Sequence, residues 1–111
     1  MPERHDIPFE ISQWNITING MDVLIDMKGV LTADLTSEPD TFHTPGVDYW
    51  DIVAVPSIES LTAWDEEGVE YEAVVKGKDT GKLDVDKILE AWMDVAQDSE
   101  WLDQLGRDHI L

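Results

Sequence analysis

Apolar and polar residues alternate along the first two thirds of the chain. Phe9 and Ile11 open a period-two pattern, and Trp14, Ile16 and Ile18 continue it with Asn15 and Thr17 between them. Between the two runs the phase slips by one residue. An uncorrected slip would turn every later side chain to the wrong face of a sheet, so the pattern predicts a β-bulge near Ser12-Gln13. Asn19-Gly20 follows, and both residue types tolerate positive φ, the strongest two-residue hairpin signal. Met21, Val23, Ile25 and Met27 then alternate with Asp22, Leu24 and Asp26. Lys28-Gly29 reads as a second turn. Leu31, Ala33 and Leu35 alternate with Thr32, Asp34 and Thr36, which completes a three-strand antiparallel meander.

Residues 36–46 read as loop, broken by Pro39, Pro45 and Gly46. Strands are expected at 47–55, ending at Pro56, and at 58–64. Asp65-Glu66-Glu67-Gly68 makes a hairpin turn with Gly68 where positive φ is needed. Val69, Tyr71, Ala73 and Val75 alternate with Glu70, Glu72 and Val74, giving one buried face and one acidic face. After Lys76 the period changes. Gly77 to Gly81 reads as a turn, and Asp84 or Asp86 caps a helix that runs to about Gln97. Ile88, Trp92 and Val95, flanked by Leu89, Ala91 and Ala96, form its apolar side. Asp98-Ser99 caps a second short helix with Trp101, Leu102 and Leu105 on its apolar side. Gly106 is its expected stop, and residues 107–111 are expected to fray. No repeat, low-complexity tract or linker is present. The expectation is one α+β domain over residues 1–111, mainly strands over 1–76 and helical over 77–111. An antiparallel sheet of five to seven strands carries one or two C-terminal helices on one face. Trp92, Ile88 and Val95 should pack the main helix onto it, and Trp14, Trp64 and Trp101 also fall on buried positions.

Composition sharpens this picture. At 111 residues and 42% hydrophobic content, the chain has length for one domain and apolar mass for a core. There is no cysteine, which excludes a disulfide scaffold, a thiolate metal site and a cysteine nucleophile. Asp and Glu number 25 against seven Lys and Arg, a formal net charge of −18. That charge repels nucleic acid and anionic membranes alike. No apolar stretch approaches the ~20 residues of a membrane span. The start, Met1-Pro2-Glu3-Arg4-His5-Asp6, is too polar for a signal peptide, so a cytoplasmic location is expected.

The acids are unevenly matched. Between Lys28 and Lys76 there is no Lys or Arg, while those 47 residues hold eleven acids: Asp34, Glu38, Asp40, Asp48, Asp51, Glu59, Asp65, Glu66, Glu67, Glu70 and Glu72. Ordinary soluble surfaces mix both signs. In the expected helix, Asp86, Glu90, Asp94 and Asp98 recur at four-residue steps. Four residues rise about 6 Å and drift only ~40° around a helix axis, so these carboxylates form a row. Phosphates along one DNA strand have a comparable spacing, at about 3.4 Å of axial rise per nucleotide. Like charges at this spacing destabilise a helix by a few tenths of a kcal/mol per pair. A folded protein with such a surface can occupy the basic groove of a nucleic-acid-binding protein, its carboxylates standing in for phosphates. That requires the carboxylates to form a contiguous, unneutralised band. Solvation alone, or adaptation to high salt, is the bland explanation. Lys outnumbers Arg five to two and there are nine Ile to ten Val, which speaks against salt adaptation.

Adjacent strand residues point to opposite faces, so one of Tyr49 and Trp50 is expected outside, between Asp48 and Asp51, as an interface anchor. The candidate partner-binding set is therefore Asp48, Tyr49, Trp50, Asp51, Asp65, Glu66, Glu67, Glu70, Glu72, Asp86, Glu90, Asp94 and Asp98.

Catalytic and cofactor chemistry finds no support. The run from Lys76 to Lys87 is similar to an EF-hand loop around Gly81, but Lys76, Lys78 and Lys87 occupy positions that need oxygen ligands. His5, His43 and His109 are far apart in the sequence with no metal-ligand spacing. There is no phosphate-binding glycine loop. No enzyme, metal or cofactor is expected.

In size, acidity and lack of cysteine, the whole chain resembles small acidic phage or mobile-element inhibitors of the nucleic-acid-mimic, anti-defence type. The resemblance is one of composition, carries no family motif and transfers no residue roles. It implies a basic nucleic-acid-binding protein as partner, with no direct nucleic-acid or membrane binding, and the host cytoplasm as location if phage-encoded. The alternative is a small structural or assembly protein, such as a virion component, whose acidity keeps it soluble. A homodimer is compatible with either.

Overall fold

The computed structural model describes residues 3–38 and 47–110, apart from the side chains at 37, 38, 47 and 48. Six strands precede two helices: β1 (Glu3–Ile18), β2 (Met21–Glu38), β3 (Val47–Ile52), β4 (Ser57–Trp64), β5 (Glu70–Val75), β6 (Lys78–Asp79), α1 (Val85–Gln97) and α2 (Glu100–Ile110). All six strands form one antiparallel sheet. β1 pairs along β2, whose other side is divided between β4, at Leu24–Val30, and β3, at Ala33–Glu38. β5 and β6 extend the sheet beyond β4. Both helices pack on one face, which is the α+β arrangement the hydrophobic pattern predicts.

The bulge sits where the phase slip requires it. Pairing shifts between Ile11/Met27 and Trp14/Ile25, and Gln13 takes φ +52°. The Gln13 N–H donates to Asp26 Oδ1 at 2.7 Å, so a carboxylate of the neighbouring strand holds the extra residue. Ile7, Phe9 and Ile11 before the bulge and Ile16 after it are all buried on the helix side. At the hairpin tip, Asn19 and Gly20 both have positive φ, 51° and 79°, as a two-residue turn between twisted strands demands.

Two glycines that read as punctuation do something else. Lys28-Gly29 is not a turn, because β2 runs through it without interruption. A Cβ on Gly29 would lie 2.2 Å from the carbonyl oxygen of Ser57, so the glycine lets β4 approach where its register shifts. Gly106 does not stop α2, which continues to Ile110. A Cβ there would lie 2.1 Å from the Trp50 ring, so the missing side chain admits the indole of β3 beneath the helix.

The helices are held by aromatic packing. The Phe9 ring stacks on Trp92 at 5.3 Å and 8°, and Trp14 and Trp101 meet Trp92 edge-on at 6.0 and 5.5 Å. The buried face of α1 is Ile88, Leu89, Trp92 and Ala96. Val95 is 46% exposed and lies off that face, contrary to expectation. Trp64 also departs from expectation. It is half-buried and lies opposite Leu24, on the sheet face that the helices leave open. Tyr71 and Val75 are exposed because β5 lies beyond the helices, which contact β1 and β3.

The Gly106 notch gives a test by sign. An alanine inside an exposed helix normally stabilises by about 0.5–1 kcal/mol over glycine. Gly106→Ala is expected to destabilise by about 1–3 kcal/mol, since overpacking forces Trp50 from its site. Urea unfolding measures it, and a gain in stability would contradict the packing described.

Candidate partner-binding surfaces

The row on α1 forms as its spacing predicts. Asp84 caps the helix, its side chain accepting from the Lys87 N–H at 3.2 Å. Asp86, Glu90 and Asp94 follow on the helix and Asp98 is its C-cap. All four are exposed, and none of their carboxylates accepts a hydrogen bond or joins an ion pair. No basic residue lies in the last turn of α1 to offset them.

The acids of the β4–β5 hairpin divide into two groups. Asp65 Oδ1 accepts from the N–H groups of Glu67 and Val69, both at 2.9 Å, and so builds the turn. Glu66 accepts from the Asp22 N–H at 3.2 Å and braces the two hairpin tips together. These two carboxylates are engaged in folding. Glu67, Glu70 and Glu72 are exposed and their carboxylates make no such bond. Glu70 pairs across from Trp64 and Glu72 from Thr62, on the open face.

On β3, Tyr49 and Trp50 point to opposite faces. Tyr49 is 38% exposed, whereas Trp50 is 4% exposed and seated under Gly106. Trp50 is therefore removed from any surface a partner could touch. Asp51 lies opposite Asp34, and Arg4 lies opposite Asp34 from the other side. Like charges directly across strands repel. Arg4 relieves this, donating from Nε to Asp34 Oδ1 at 3.0 Å, and the bond and the carboxylate charge together raise the guanidinium above its ordinary pKa. The Asp48 side chain, Glu38 and Asp40 lie outside the described side chains.

The expected single band is thus two fields on opposite sides of the sheet. One is the α1 row. The other is the open face, where Asp6, Glu10, Asp22 and Asp26 of the first hairpin join Glu70 and Glu72. Asp6, Asp22 and Asp26 accept hydrogen bonds there from Thr32, Thr17 and Gln13, and the Asp51 carboxylate is reached instead by the Gln97 amide of α1 at 3.4 Å. Sequence reasoning does not single out those first-hairpin acids, although they occupy the outward phase of the alternation. Among the described residues there are three ion pairs: Arg4–Asp34, Lys28–Glu59 at 3.6 Å, and His5–Glu3 at 3.4 Å. Lys28 and Lys76, the ends of the cation-free stretch, meet in one shallow hollow of about 570 Å³ beside Glu10 and Glu59.

Two further features carry no local sequence signal. The Gln97 side-chain amide bonds the backbone of β3 like a strand: its oxygen accepts from the Ile52 N–H at 2.7 Å, and its nitrogen donates to the Trp50 carbonyl at 2.9 Å. His5 and His109, distant in sequence, bring their rings to 5.4 Å. No group of three or more metal-capable side chains occurs among the described residues. His43 lies outside them. No described helix is long and apolar enough to cross a membrane.

No family model, curated protein or solved structure matches the chain.

The α1 row works against its own helix. Glu90→Gln with Asp94→Asn removes three like-charge pairs and is expected to stabilise by about 1 kcal/mol, a gain that shrinks in high salt. Thermal unfolding at low and high salt measures it. Gln97→Ala leaves the Ile52 N–H without its acceptor. It should cost about 1–3 kcal/mol in the same assay, independently of salt.

Proposed function

We propose that this chain is an acidic binding protein that inhibits a nucleic-acid-binding or nucleic-acid-processing protein by presenting carboxylates in place of phosphates. The observation that carries this reading is the surplus of uncommitted carboxylates on an elongated scaffold. The chain measures 54 × 27 × 20 Å. A formal charge of −18 along 54 Å is one net negative charge per ~3 Å, close to the ~3.4 Å per phosphate of one DNA strand and about half the linear density of a duplex. Few described acids are neutralised, and the two fields on opposite sides of the sheet parallel a duplex, whose phosphates also line opposite sides. Strands and a capped helix fix the backbone that carries the carboxylates, so binding has to order side chains but not a chain segment.

Self-assembly through the free edge of β1 is disfavoured. Pro8 and the Gln13 bulge interrupt that edge, and Glu3, Arg4, Asp6 and Glu10 line it. These are devices by which natural sheets prevent strand addition.

The test is equilibrium binding to a panel of purified nucleases and basic DNA- and RNA-binding proteins. At least one should bind, with affinity at least about tenfold weaker in 0.5 M than in 0.05 M NaCl. Duplex DNA or RNA should compete for it, and the chain alone should not retard nucleic acid in a gel. Binding that ignores both salt and competitor, or no binding across the panel, would overturn the proposal.

A further inference from the structure

An apolar hollow of about 350 Å³ opens along one flank of α1, lined by Val55, Leu89 and Met93 together with Asp86, Glu90 and Asp94. Leu89 is buried, Met93 is half-buried and Val55, in the segment after β3, is 63% exposed. Three of the four carboxylates of the α1 row thus border apolar surface. Their helical spacing cannot reveal this, because Val55 comes from another part of the chain.

Resting on the function proposed above, we infer that this hollow seats an arginine side chain of the basic partner. Its methylenes lie on Leu89, Met93 and Val55, and its guanidinium meets the carboxylates at the rim. The chemistry of the lining selects this occupant. A wholly apolar side chain would leave three carboxylates desolvated and unpaired, which is costly. An acidic group would be repelled. Arginine carries an apolar stem and a charged, planar head on one side chain, and its head is more weakly hydrated than an ammonium. Size agrees: small-molecule pockets run from about 300 to 1,000 Å³, so this hollow lies at the small end, suited to one side chain. A second copy of the chain is a poor occupant, since it would bring another strongly acidic surface against the row.

The experiment is a methyl and amide NMR titration of the intact chain. The probes are an arginine-rich peptide and a lysine-rich peptide of equal length and charge. The Met93 and Val55 methyls should shift and saturate with the arginine peptide, together with the amides of residues 86–94. Val75, an exposed valine on β5 that follows the sheet away from α1 and pairs with Lys78, should not move. Met93→Gln should weaken the arginine peptide several-fold while keeping the net charge and the fold, as judged by the amide spectrum. Val55→Ser, at an exposed position, should do the same. If the amides of the row shift but the two methyls stay still, or both peptides behave alike, the hollow is not an arginine seat while the broader proposal stands. If neither peptide binds and the protein panel is also negative, the broader proposal fails with it.

Discussion

Self-repulsion is the constraint to which the rest of this structure answers. A chain with 25 acids and seven Lys and Arg cannot be held together by ion pairs. Three are present among the described residues, all at least partly exposed, and exposed pairs contribute little. Cohesion must therefore be apolar, and it is concentrated. Four rings, Phe9, Trp14, Trp92 and Trp101, tie both helices to the sheet through stacked and edge-on contacts. Aromatic pairs of this kind contribute about 0.5–1.5 kcal/mol beyond the area they bury. Carboxylates that folding does use are spent on backbone N–H groups, as Asp26 serves the bulge and Asp65 the turn. Those bonds need no cation.

This division of labour separates the acids by role. Asp65 and Glu66 belong to the scaffold, and Asp84 caps α1. The α1 row and Glu67, Glu70 and Glu72 remain for solvent or a partner. Residues that fasten the scaffold lie close behind those that do not. Gln97 anchors the end of α1 one residue before Asp98, and the Phe9–Trp92 stack lies between Glu90 and Asp94 in the helix. The row is thereby fixed relative to the sheet.

Much of this was legible in the sequence, because periodicity and turn chemistry are local. The phase slip placed the bulge and Asn19-Gly20 the hairpin, while the start of α1 was narrowed to Asp84 or Asp86 and the structure caps it with Asp84. What was not legible depends on contacts across the fold. Gly29 and Gly106 look like a turn and a stop from their neighbours alone. Their reason is a backbone oxygen of Ser57 and an indole of Trp50, far away in the chain. Trp64 follows the alternation of a buried strand, but which side the helices cover decides whether it is hidden. The two-sided distribution of charge has the same origin. A list of acids does not say that β5 and α1 present theirs to opposite sides of one sheet.

The placement of β2 has a consequence for how the molecule comes apart. This strand is hydrogen-bonded to β1 on one side and, over most of its length, to β4 or β3 on the other. Its central amides cannot exchange with solvent deuterium by local fraying at either flank. They are released only when the sheet as a whole dissolves, so β2 should report the global opening while β6 and the end of α2 exchange through smaller fluctuations. The first hairpin, closed by only two residues at Asn19-Gly20, is the most local part of that sheet and needs no distant contact to form.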